Sequence, residues 1–101
     1  METGRERALV LHGGGSAGNA WEIGIVAGLF DAGLDVTKAD LIIGTSAGST
    51  AAAQITSAVP TELFAAILSA APQQRTGQAP AAQAGYNQGK ALAEQLSEFW
   101  R

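Results

Sequence analysis

The sequence predicts an α/β domain built on a parallel sheet, and three observations carry that expectation. Short apolar runs alternate with helix-compatible stretches in the order strand, helix, strand, helix. Each apolar run ends in a glycine-rich turn, "HGGGSAG" after the first and "GTSAGS" after the second. Hydrophobic residues make up 47% of the 101 residues, enough for one modest core and too many for disorder over most of the length.

Residues 7–12, "RALVLH", form an apolar run that meets the glycine cluster and read as a buried strand. From Ala20 to Ala32, the positions of Trp21, Ile23, Ile25, Val26, Leu29 and Phe30 suit a helix packed on a sheet, and Gly33 supplies its stop. Gly24 and Gly28 lie four apart on one face of that helix and are expected to pack closely against a strand. "ADLIIG", 39–44, is the second strand. The alanine-rich "AGSTAAAQITSA" after Ser46 forms a helix that stops before Pro60, which disfavours helical geometry in the residue ahead of it. Thr61 has the chemistry of an N-cap for a third helix, "ELFAAILSAA", ended by Pro72.

Residues 73–89 are rich in Gln, Ala and Gly without apolar periodicity and read as a mobile loop. In "KALAEQLSEFWR", Leu92, Leu96 and Phe99 fall at i, i+4 and i+7, an amphipathic helix expected to pack on the core. Two strands do not make a covered parallel sheet, and the chain reaches Arg101 inside a helical pattern. Residues 1–101 are therefore expected to be the N-terminal fragment of a larger domain.

Composition removes several function classes. A net charge of -3 and a pI near 4.9 leave no basic patch, so nucleic acid is not an expected partner. Without cysteine there is neither a disulfide framework nor a thiolate site, and one histidine with scattered carboxylates makes a poor metal set; neither metal nor cofactor is expected. "METGRERALV" lacks the apolar run of a signal peptide, and no stretch approaches the roughly 20 apolar residues of a membrane span; a cytoplasmic location is the expectation. Arg75, Lys90 and Arg101 read as solvated charge, and Trp21 and Trp100 as packing residues.

Gly44-Thr45-Ser46-Ala47-Gly48 spells G-x-S-x-G between a strand and a helix, the setting of a nucleophile elbow. Gly44 and Gly48 let the chain turn sharply and expose the Ser46 hydroxyl, while the helix N-terminus aims N–H groups and a positive dipole end at it. The plainer alternative is a serine that only caps the helix. Adjacent parallel strands would share one carboxyl edge, bringing the Gly13–Gly18 loop beside Ser46. The backbone N–H groups of Gly13, Gly14, Gly15 and Ala47 could then bind the oxyanion formed when Ser46 attacks a carbonyl.

Three readings of the loop compete. Gly13, Gly15 and Gly18 match a dinucleotide fingerprint, but the second strand ends without the acid a ribose needs; Asp35 and Asp40 lie before it or at its start. His12-Gly13-Gly14-Gly15 matches the oxyanion loop of triad esterases, which require a histidine after the serine; His12 is the only one here, so this reading needs a triad completed downstream. The third is a serine hydrolase with a Ser–Asp dyad.

From Arg7 to Ser57, through "GGGSAG" followed by "AWEIGIVAGL" and through "DLIIGTSAGS", the sequence resembles the patatin-like phospholipase family. The resemblance implies a three-layer α/β/α fold with a mostly parallel sheet and hydrolysis of lipid acyl esters without a cofactor. It makes Gly13, Gly14 and Gly15 the oxyanion loop and Ser46 the nucleophile, with lipid or another acyl ester as substrate and peripheral membrane contact compatible with that. Two departures stand out. Ala17 occupies the place where many members carry Arg or Lys before the last loop glycine. The family's catalytic aspartate lies in a downstream Asp-Gly-Gly or Asp-Gly-Ala motif, whereas Asp31, Asp35 and Asp40 all precede Ser46. The general base is thus expected to be missing from these residues, leaving the chain by itself nearly inactive. A non-catalytic remnant that keeps loop and elbow as fold elements is the competing class.

Overall fold

A computed structural model of the chain describes residues 6–69 and 77–100. Two short strands, β1 (Ala8–Leu11) and β2 (Leu41–Gly44), pair in parallel with Ala8 opposite Leu41 and Leu11 opposite Gly44. The connection between them is α1 (Gly15–Asp31), followed by a single 3-10 turn at Val36–Lys38. Then come α2 (Ala47–Ile55), α3 (Pro60–Leu68) and α4 (Gln78–Trp100). This is the mixed α/β order that the apolar runs predict.

The helix ends have local causes. Gly33 takes a φ of 100°, and the N–H groups of Gly33 and Leu34 donate to the carbonyls of Phe30 and Leu29. That pair of bonds is the glycine stop expected from the sequence. α1 begins five residues earlier than its apolar pattern suggested, because the glycine loop itself turns into helix at Gly15. Val59, not Thr61, is the N-cap of α3, and Pro60 is its first residue. Proline's fixed φ and missing N–H suit that position, so Thr61 falls inside the first turn. The helix closes at Leu68, and Pro72 lies outside the described residues.

The stretch expected to be a loop is largely helix. Residues 73–76 lie outside the described residues, but 78–89 form the first half of α4. Its buried face consists of Ala82, Gly85, Gly89 and Ala93, small residues that let two backbones touch. A β-carbon on Gly24 would stand 2.0 Å from the Ala82 carbonyl oxygen, and one on Gly85 would stand 2.2 Å from that of Trp21. Gly28 meets Tyr86 and Gly89 meets Ile25 in the same way, so α1 and α4 run parallel and interlock. Gly24 and Gly28 therefore pack on a helix, correcting the expectation of a strand. Leu96 and Phe99 are 37% and 76% exposed, so the small residues, not these apolar ones, face the core.

Leu11, Val26, Leu29, Val36, Ala51 and Ile55 are buried together between the helices and the inner face of the sheet, with Leu9 and Ile42 packed against them. Each of the leucine, isoleucine and valine side chains taken out of water contributes about 1.5–3 kcal/mol. The other sheet face carries Val10, Leu41 and Ile43, all exposed, and among the described residues no element covers it. Trp21 is partly exposed, whereas Trp100 packs against the core with the Arg7 guanidinium over its ring. Lys90 is exposed beside the Tyr86 ring; Arg75 and Arg101 lie outside the described residues. Among the described residues, no helix is long and apolar enough to cross a membrane.

Candidate active site

The carboxyl ends of β1 and β2 share one edge, and each strand leads into a helix there. Thr45 N–H donates to the Leu11 carbonyl, extending the strand pairing to the brink of the turn. Ser46 then adopts φ 56° and ψ −123°, and among the described residues it is the only non-glycine with positive φ. The turn is fixed on both sides. A β-carbon on Gly44 would lie 2.3 Å from the Gly48 carbonyl oxygen, and one on Gly48 would lie 2.0 Å from that of Leu11. No larger residue fits either position without moving backbone.

Ser46 is the N-cap residue of α2, yet its side chain makes no capping bond. The backbone closes the turn instead: Gly48 N–H donates to Thr45 and Ser49 N–H to the Ser46 carbonyl, which the Ser49 hydroxyl also reaches at 2.6 Å. The exposed Ser46 hydroxyl thus has no hydrogen-bond partner among the described residues. A serine retained only to cap its helix would use that oxygen on an N–H of the first turn.

The glycine loop stands against this turn. A β-carbon on Gly13 would sit 3.4 Å from Ser46 Cβ and 3.8 Å from its hydroxyl oxygen, so the loop backbone lies within one side-chain layer of the serine. Gly14 and Gly15 have φ of 140° and 68°, which favour glycine, and space beside Gly15 is open. Among the described residues, no group accepts from the N–H of Gly13, Gly14, Gly15 or Ala47. Two helix N-termini, those of α1 and α2, meet here, and their dipoles make the spot favourable for negative charge. Asn19 ties the two helices together, its side-chain amide donating to the Ala47 carbonyl at 3.4 Å and to Gln54 Oε1 at 3.1 Å.

A model of the patatin-like phospholipase family matches residues 9–101. The chain belongs to the patatin-like phospholipase family. No curated protein and no solved structure matches it. Family membership makes hydrolysis of lipid esters the chemistry to examine, and the match runs from β1 through α4, well beyond the two motifs that carry the sequence resemblance.

The three aspartates of this patatin-like chain are engaged elsewhere. Asp40 accepts from Arg7 N–H, Asp35 from the N–H and hydroxyl of Thr37, and Asp31 from the Tyr86 hydroxyl, which pushes the Tyr86 phenol above its ordinary range. All three aspartates lie toward the amino edge of the sheet, across a strand of four residues or about 13 Å from the Ser46 edge. The His12 ring is exposed, with Nδ1 only 3.4 Å from the carbonyl oxygen of its own neighbour Gly13. Among the described residues, no three His, Cys, Asp or Glu side chains converge as a metal site would require.

Sequence reasoning passed over Glu22. It is 7% exposed and its Oε2 accepts the His12 backbone N–H at 2.6 Å. Its Oε1 is buried without a partner. Burial pushes the carboxyl above its usual range, while the His12 N–H and the His12 ring pull it back. The signal was present in the helical spacing. Glu22, Val26 and Leu29 fall at i, i+4 and i+7, and the two apolar members of that row are core residues.

Proposed function

We propose that this patatin-like chain carries the nucleophile and the oxyanion loop of a serine acyl hydrolase acting on lipid esters. The observation that supports it best is Ser46 itself, held in left-handed backbone at a strand-to-helix turn, with an exposed, uncommitted hydroxyl facing Gly13. A structural serine has no need of that conformation.

In this reading Ser46 Oγ attacks the ester carbonyl carbon and its proton passes to a base. The tetrahedral oxyanion takes hydrogen bonds from the N–H groups of Gly13, Gly14, Gly15 and Ala47. Collapse expels the alcohol, which leaves with that proton, and water then releases the acid from the acyl-serine. The base is the aspartate of a Ser–Asp dyad; Asp31, Asp35 and Asp40, at the far edge of the sheet, do not fill that role. The same reading takes the domain as three-layered α/β/α, the third layer covering Val10, Leu41 and Ile43. It takes the protein as cytoplasmic, meeting lipid by peripheral contact.

A fluorophosphonate probe tests the proposal directly, because it reacts with activated serines. Slow covalent labelling located on Ser46, faster than that of the other serines because the oxyanion loop is present although the dyad aspartate is not, and lost in Ser46→Ala, is the expected result. Equal labelling of Ser46→Ala, or labelling of Ser46 no faster than that of the chain's other serines while a control serine hydrolase is labelled, would overturn it.

A further inference from the structure

One buried acid meets the glycine loop at its first residue. β1 ends at Leu11, and the first residue after it, His12, directs its backbone N–H away from β2 and onto Glu22 Oε2 at 2.6 Å. Glu22 sits two turns into α1, among side chains buried in the core, so it is carried by a helix whose inner face is packed along its length. The next residue, Gly13, is the one that stands against Ser46. We infer that Glu22 is a positioning residue that fixes the start of the glycine loop, and thereby the distance of its N–H groups from Ser46. The anchor is independent of the hydrolase reading, and only the purpose given to the loop rests on that reading.

The chemistry of the contact supports a specific role over ordinary packing. A carboxyl with one oxygen buried and unpartnered is costly to keep in a core. A leucine at the same position would fill the space without that cost. What leucine cannot do is accept the His12 N–H. That donor lies outside the strand ladder and would otherwise be lost beside a 260 Å³ cavity walled by Leu9, Leu11, Trp21 and Ile25. The Gly14 and Gly15 positions are too permissive to hold one conformation alone, since glycine enters many backbone regions equally well. The far side of the loop is held by the Gly14 carbonyl, which accepts from Gly18 N–H at 2.9 Å, and Glu22 supplies the tether at the loop's first residue.

Backbone amide exchange and ¹⁵N chemical shifts of the full chain test this in Glu22→Leu and Glu22→Gln. Leucine keeps the volume and removes the acceptor; glutamine keeps a carbonyl acceptor. In Glu22→Leu the His12 amide is expected to lose protection by about tenfold or more. Gly13, Gly14 and Gly15 should shift or broaden with it, while the amides from Ile23 to Leu29 keep theirs. Glutamine should restore the native pattern. Unchanged Gly13–Gly15 signals in Glu22→Leu, protection lost evenly along α1, or a glutamine variant that behaves like leucine would each overturn the inference. Labelling of Ser46 should slow with the leucine variant and recover with glutamine. A native chain that shows the amide pattern but labels Ser46 no faster than its other serines sinks the hydrolase reading and leaves the anchor standing.

Discussion

Non-glycine residues occupy backbone like that of Ser46 at a cost of about 1–3 kcal/mol, so this one position stores strain that the surrounding packing must offset. Glycine would relieve it while losing more chain entropy on folding. Ser46→Gly is expected to raise stability by about 1 kcal/mol and abolish fluorophosphonate labelling. A urea midpoint that stays put or falls would mean the turn is unstrained. Glu22 gives a second residue-scale test. Its folded carboxyl holds a proton more tightly than the ordinary value of 4.5 allows. Its contribution to stability is thus fully present below pH 4.5 and is lost as pH rises through the folded value. Denaturant titrations should show this loss in the native chain and its absence in Glu22→Gln; parallel pH profiles would refute it. Ser46 and Gly13 were legible because glycine spacing and strand order determine where a turn can form. Glu22 was legible only in part, because helical spacing puts it on the buried row but does not announce which backbone N–H it accepts from.

Among elements, the α1–α4 pair dominates the packing and was the part least visible beforehand. Its buried stripe, Ala82, Gly85, Gly89 and Ala93, has spacings of three, four and four, a helical period written in residues too small to register as hydrophobic. Searches for large apolar side chains instead find Leu92, Leu96 and Phe99, and the last two point to solvent. Close backbone approach makes the interface intolerant of any added atom. Gly24→Ala is expected to cost about 3 kcal/mol, the upper end for overpacking, because the new methyl meets a carbonyl oxygen and not a flexible side chain. Gly85→Ala should cost a similar amount. The double variant should cost clearly less than the sum, since helices already forced apart by one methyl accommodate the second. Gln83→Ala, on the exposed side of α4, should stay within about 0.5 kcal/mol. Additive losses would show that α1 and α4 do not share one interface.

For the molecule as a whole, the decisive asymmetry is between the two faces of the sheet. The order of apolar runs was enough to anticipate parallel pairing with a helical crossover, and it also implied that such a sheet is covered on both sides. The described residues cover one. Val10 is 63% exposed and pairs in register with Ile43, itself 43% exposed, so the open face is a contiguous apolar surface of strand residues. Surfaces of that kind bind hydrophobic dyes and associate. Because these side chains touch little within the chain, replacing both with threonine should leave stability within about 0.5 kcal/mol for each site. It should also lower anilinonaphthalene sulfonate fluorescence and any concentration-dependent light scattering. Threonine keeps the β-branched shape that strands favour, so the change tests exposure and not strand propensity. A loss of about 2 kcal/mol or more with dye binding unchanged would show that the face is covered in solution, because only a buried side chain costs that much to make polar.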